Sequence, residues 1–161
     1  GAERARGHVV GRSRTHLSEL LCFDLYAASR AVTSAYRPLL DDLGLTYPQY
    51  LVLVVLWDEG PRPVKGLADR LHLDYGTLTP LLRRMETGGL LTRRRRPEDE
   101  RSVEVALTRA GAALEPRVRN LQKAIRAAVG VTIEEAVDLQ DVLRRITLSA
   151  SAATSGAARS R

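Results

Sequence analysis

Residues 50–57 read YLVLVVLW, eight positions without a charge, and they follow the signals of a helix start. Thr46 and Gln49 have the spacing of a capping box and Pro48 falls in the first turn, so a helix is expected from about Tyr47 to Asp58. A helix that is apolar all round must be covered on every side. The rest of the chain is therefore expected to pack around it. With 161 residues, 44% of them hydrophobic, there is material for one domain with its own core, or for one domain plus a dimerisation element.

The stretch after that helix is rich in boundary signals. A turn at Gly60 and Pro61 precedes Pro63, which opens a short helix, VKGLADRL. Leu73 leads to another, beginning near Asp74 or Thr77 and ending at Gly88 and Gly89. Two short helices across a tight turn make a helix-turn-helix. In the second, Leu78, Leu81, Leu82 and Met85 form an inward face and leave Thr77, Thr79, Pro80, Arg83 and Arg84 on the other. That outer face fits either an ordinary solvated helix or one presented to DNA phosphates and base edges. The next segment decides between them. Residues 90–96 read as a strand, 97–100 as its turn, and 101–107 as a return strand with Val103, Val105 and Leu107 inward. A β-hairpin after two such helices makes the unit a winged helix-turn-helix. Its wing carries Arg93, Arg94, Arg95 and Arg96 on one strand and Arg101 past the tip, placed to contact phosphates or enter a minor groove. Asp99 is expected to pair with Arg101 and orient its guanidinium. The formal net charge of +6 is thus densest inside the fold, where it favours a polyanion partner.

The fold class expected is mainly α with a small β-hairpin wing, flanked by a helical dimerisation layer from the N- and C-terminal helices. Residues 1–16 form a loose basic arm, 17–45 a dimerisation and sensor helix, 46–107 the winged unit, 108–149 the C-terminal dimerisation helices, and 150–161 a disordered Ala, Ser and Gly-rich tail. Thr108 caps a helix running to about Val129 with local distortion at Pro116, and Thr132 with Glu135 makes a second capping box. There is no apolar run of eighteen residues, and residues 1–16 lack the apolar core of a signal peptide, which points to a soluble cytoplasmic chain with no membrane partner.

The lone cysteine, Cys22, lies on the sensor helix. Two seams run along that helix: Leu21, Leu25, Ala28, Val32, Ala35 and Leu39, and beside them Cys22, Tyr26, Ser29, Thr33 and Tyr36. Cys22 and Tyr26 are one turn apart. Tyr36 stands fourteen residues on, roughly 21 Å along a helix axis, so it reaches such a thiol only in a second copy crossing antiparallel, an isologous two-fold arrangement. The alternative is an amphipathic helix whose cysteine is a small buried hydrophobe. One cysteine forms no internal disulfide. His8, His16 and His72 lack ligand spacing, so no metal and no cofactor is implied.

These segments resemble the MarR family of dimeric regulators, and LCFDLYAASR, residues 36–40 (YRPLL), LTYPQYLVLVVLW, LTPLLRRME and PEDERSV resemble its organic hydroperoxide sensing branch over residues 17–114. The resemblance implies a homodimeric repressor that holds operator DNA when reduced and lets go when an organic hydroperoxide oxidises Cys22. It places Tyr26, Tyr36 and Tyr47 around the thiol, the latter two from the partner subunit, and Thr77, Thr79, Arg83, Arg84, Asp99 and Arg101 at the DNA, to which the arginine-rich wing strand adds Arg94 and Arg96. Tyr75 departs from the serine usual there. Without a second cysteine the chain is similar to the one-cysteine type, which needs a small-molecule thiol or further oxidation. No catalytic residue is implied. A regulator answering a small aromatic ligand, with Cys22 incidental, and a thiol peroxidase are the rival functions.

Overall fold

A computed structural model describes residues 16–160. The basic arm expected over 1–16 lies, His16 apart, outside them. A 3-10 turn (Leu17–Glu19) leads into α1 (Leu21–Asp41), followed by α2 (Tyr47–Glu59), a short strand β1 (Arg62–Pro63), α3 (Val64–Leu71), α4 (Tyr75–Thr87), β2 (Leu91–Arg96), β3 (Asp99–Leu107), α5 (Arg109–Ala113), α6 (Glu115–Val129) and α7 (Ile133–Arg159).

The capping box at Thr46 forms as expected: Thr46 Oγ1 accepts the Gln49 N–H at 3.4 Å and Gln49 Oε1 accepts the Thr46 N–H at 3.1 Å. Tyr50, Val52, Leu53, Val55 and Leu56 of α2 are all buried. α1, α3, α4 and β3 pack around this helix. Leu78, Leu81, Leu82 and Met85 of α4 face the same core. α1 runs through Pro38 and stops where the chain turns left-handed at Gly44 (φ 67°), with the Leu45 N–H closing on the Leu40 carbonyl at 3.0 Å.

The sheet has the order β1-β3-β2, all antiparallel. The hairpin was expected, but β1 was not. Arg62 and Pro63 pair with Val105 and Glu104, and two residues are too few to show alternation. Proline is tolerated there because β1 is an edge strand. The turn between α3 and α4 is set by His72, whose φ of 54° is the one positive value outside glycine among the described residues. This histidine closes a helix.

Three expectations at the helix ends need correction. Helix geometry begins at Leu21 rather than Leu17, because residues 17–19 make a separate turn. The helix after Thr108 breaks at Leu114, leaving Pro116 in the first turn of α6, where its missing N–H costs nothing. The tail, expected to be disordered over 150–161, is helical as far as Arg159. Its alanines have the highest helix propensity of any residue, and the capping box at Thr132 propagates through them.

Packing is uneven along the outer helices. α1 lies on α2 and α6, with Leu40 buried and Leu25, Val32, Ala35 and Leu39 partly covered, whereas Leu21 of the same seam is 61% exposed. α7 has no buried residue, and Ile133, Val137, Leu139, Val142 and Leu148 are exposed. No described helix is long and apolar enough to cross a membrane.

Candidate nucleic-acid interface and sensor helix

The start of α4 is held by its neighbour in sequence. Asp74 caps the helix, its Oδ1 accepting the Thr77 N–H at 2.7 Å, and these hydrogen bonds hold the carboxyl below its ordinary pKa. Thr77, Arg83 and Arg84 are exposed on the face away from the core and Thr79 is partly covered. The Arg84 Nε–H reaches back to the Pro80 carbonyl at 3.3 Å.

A carboxylate ties the wing to this helix. Glu86 of α4 accepts both the backbone N–H of Arg93 (2.9 Å) and its guanidinium (3.2 Å), bonds that hold the Glu86 carboxyl below the usual range. Between α4 and the wing lies a cavity of about 450 Å³, bordered by Tyr75 and Thr79 on one side and Arg93, Asp99 and Arg101 on the other, with Lys65 of α3 at its edge. The structure thus brings Thr79, Asp99 and Arg101 to one hollow. Arg94 and Arg96 line a different one, of about 340 Å³, around Glu104, which holds Arg96 at 3.1 Å. Alternation separates Arg93, opposite Val105, from Arg94, opposite Glu104; beyond them the register shifts between Arg95 and Arg96, and both join Arg94 at the second hollow. Asp99 does pair with Arg101, but through the backbone N–H at 3.0 Å instead of the guanidinium. That bond shapes the strand entry and leaves the guanidinium donors free of it.

On the sensor helix the expected residues divide into two groups. Cys22 is exposed in the first turn of α1, closer to the helix start than the sequence implied, because the helix begins one residue earlier. Tyr26, one turn on, is engaged by Arg30: the guanidinium donates to its hydroxyl at 3.1 Å and lies 5.5 Å from its ring centre. The second group is a phenol cluster far up the helix. The ring centres of Tyr36 and Tyr47 are 4.9 Å apart, and Tyr50 stands 5.5 Å from Tyr36 and 6.1 Å from Tyr47. Tyr50 was missed in the sequence, although its distance of three residues from Tyr47 puts both on one helix face. Burial, then the neighbouring phenols, push the Tyr36 hydroxyl well above its ordinary pKa, and burial does the same for Tyr47. Tyr36 and Tyr47 therefore keep their O–H groups to donate. Gln122 of α6 anchors Tyr50, donating to its hydroxyl at 3.4 Å.

Comparison with known proteins follows the same outline. Residues 45–103 match the MarR family. The chain is 47% identical over 126 residues to the organic hydroperoxide resistance transcriptional regulator of Bacillus subtilis, covering 78% of this chain and 84% of that protein. Reduced AbfR bound to DNA superposes with a TM-score of 0.70 at 32% identity, covering 83% of this chain and 93% of the other. Overoxidized AbfR bound to DNA gives 0.65 at 32% identity, covering 81% and 93%. With this identity over most of a relative's length and a winged helix at its centre, the chain belongs to the MarR family of transcriptional regulators.

Proposed function

We propose that this regulator is a homodimeric, peroxide-sensing repressor, bound to operator DNA while Cys22 is a thiol and released after an organic hydroperoxide oxidises it. The observation that carries the reading is the division of the sensor helix. An exposed sulfur sits at one end, and a cluster of phenols sits at the other, fourteen residues and roughly 21 Å away. Two copies crossing antiparallel bring the phenols of each to the sulfur of the other. Leu21 and Phe23 of α1 and the exposed apolar side chains of α7 are surface that a dimer interface is suited to cover. The hydroperoxide resistance regulator of Bacillus subtilis, similar over most of its length, supports the choice of oxidant.

The chemistry begins with the thiolate, which phenol O–H groups stabilise without adding charge. The sulfur attacks the outer oxygen of R–O–O–H, an S–O bond forms as the O–O bond breaks, and the alkoxide leaves and takes up a proton as ROH. The sulfur is oxidised to sulfenic acid and the hydroperoxide is reduced to an alcohol. A small thiol then condenses with the sulfenic acid, expelling water and leaving a mixed disulfide too bulky for a packed seam. Overoxidized AbfR has been captured on DNA, so overoxidation is compatible with binding in that protein. The bulk of the mixed disulfide is the stronger candidate for the releasing step here. It alters the separation of the two α4 helices, which must match major grooves about 34 Å apart.

The test is a titration of reduced protein with a duplex from its own promoter, repeated after near-stoichiometric organic hydroperoxide, with and without a small thiol. Release that excess reductant reverses is the expected result. Binding that persists in both arms overturns peroxide sensing.

For the DNA face, Arg101→Ala is expected to weaken operator binding and to lower the slope of log affinity against log salt by about one. An unchanged slope would remove this guanidinium from the phosphates.

A further inference from the structure

We propose that Tyr75 reads the operator: its ring, carried on the first residue of α4, packs against the 5-methyl group of a thymine in the major groove and so sets the base preferred there. The inference rests on α4 lying in the groove and is independent of peroxide sensing.

Tyr75 is 53% exposed. Every other large exposed hydrophobic among the described residues lies at or before Tyr26 or at or after Val129, outside the winged unit. Folding does not call for the ring, because the core beneath α4 is closed by Leu78, Leu81, Leu82 and Met85, each no more than 8% exposed. Its position is nonetheless well held. Asp74 caps the helix immediately before it, and Tyr75 borders the cavity that also receives Thr79 and Arg101, with Lys65 alongside.

The chemistry of those neighbours assigns the roles. Lys65 and Arg101 are cations suited to phosphate oxygens, contacts that set register and carry no sequence information. An uncharged aromatic ring at the start of a recognition helix meets base edges, since N-terminal residues of that helix enter the groove. The apolar feature that a base pair displays in the major groove is the thymine methyl. An exposed ring at the start of that helix, flanked by phosphate-binding cations, is matched to it.

The experiment selects a duplex from a random-sequence library with the natural protein, then replaces each thymine in the footprint by deoxyuridine, which removes the methyl alone. At one position per half-site the loss is expected to weaken binding roughly fourfold, the worth of one buried methyl. Tyr75→Phe should retain that sensitivity. Tyr75→Ala should bind both duplexes equally while keeping the salt slope of the natural protein. The proposal is overturned by a footprint in which no thymine is sensitive, by Tyr75→Ala keeping the sensitivity, or by Tyr75→Phe losing it. A fall in salt slope for Tyr75→Ala would make the residue a phosphate contact and overturn it equally. A natural protein that selects no duplex at all would remove α4 from the groove, a failure separate from that of Tyr75.

Discussion

Cys22→Ser is expected to stay on its operator through an organic hydroperoxide dose that weakens the natural protein on the order of 5–150-fold, the usual span of coupling between two sites. The substitution replaces sulfur by oxygen in a side chain of similar shape, and an alcohol is not oxidised by a hydroperoxide under these conditions. Position 22 is exposed on a helix that holds its own backbone bonds, so the fold has no reason to change. Reduced Cys22→Ser should bind DNA within about twofold of the natural protein, because additivity holds for sites without shared partners. The sharp alternative is the other sulfur. Met85 is also oxidisable and sits on α4 itself, where a sulfoxide would disturb the helix directly. It is 1% exposed, however, and a peroxide cannot reach it without local opening. Release of Cys22→Ser by hydroperoxide would move the sensor to Met85 or elsewhere and end the account given above. Mass measurement of both sulfurs at the point of release distinguishes these outcomes.

The parts of the fold legible in sequence were those that local chemistry dictates. Thr46 with Gln49 and Thr132 with Glu135 announce their helices because a capping box is complete within four residues. The inward face of α4 follows from the spacing of Leu78, Leu81, Leu82 and Met85 alone. What escaped depends on residues distant in sequence or on the absence of a pattern. β1 exists because β3 offers it an edge, and Arg62 and Pro63 carry no sign of that. The tail lacks an apolar stripe, the usual mark of a helix in sequence, yet helix propensity needs no stripe when a capped helix already runs into it.

The site was legible in the same measure. Arg101 and Thr79 share a hollow, as their places at the wing and on the recognition helix imply. Arg94 and Arg96 were grouped with them because a run of four arginines hides which strand face each one takes, and the register resolves it through Glu104. Tyr50, which stacks with Tyr36 and Tyr47, reads in sequence as one more position of a buried apolar helix. Cys22 was rightly separated from Tyr36, because helix rise alone forbids their meeting in one chain.

Gly111→Ala is expected to destabilise the protein by about 3 kcal/mol, the upper end for overpacking a tight site, and for a chain of this size to lower Tm by roughly 6–12 °C. A Cβ at Gly111 would stand 2.1 Å from the Leu90 carbonyl oxygen and 3.1 Å from the Leu107 side chain. Carbon and carbonyl oxygen meet at roughly 3.3 Å, so one of the two backbones must move. Neither is free to do so. The Leu90 carbonyl accepts the Thr108 N–H at 3.1 Å, and the next residue, Leu91, is buried at the start of β2. Gly111 itself donates its N–H to Thr108 Oγ1 at 3.1 Å and accepts the Trp57 indole N–H at 3.0 Å. The methyl therefore strikes the joint where α2, the base of the wing and α5 are bonded together, and relief in any direction breaks one of these bonds. Gly156→Ala is the matched control. It lies in the exposed part of α7 with nothing within 4 Å of its added Cβ, and the same chemical change there should stabilise the helix by roughly 0.5–1 kcal/mol. Thermal or urea unfolding of the two variants should thus move in opposite directions from the natural protein. A Gly111→Ala variant as stable as the natural chain would mean that the wing base yields, and the rigid attachment of the wing to α2 would have to be given up with it.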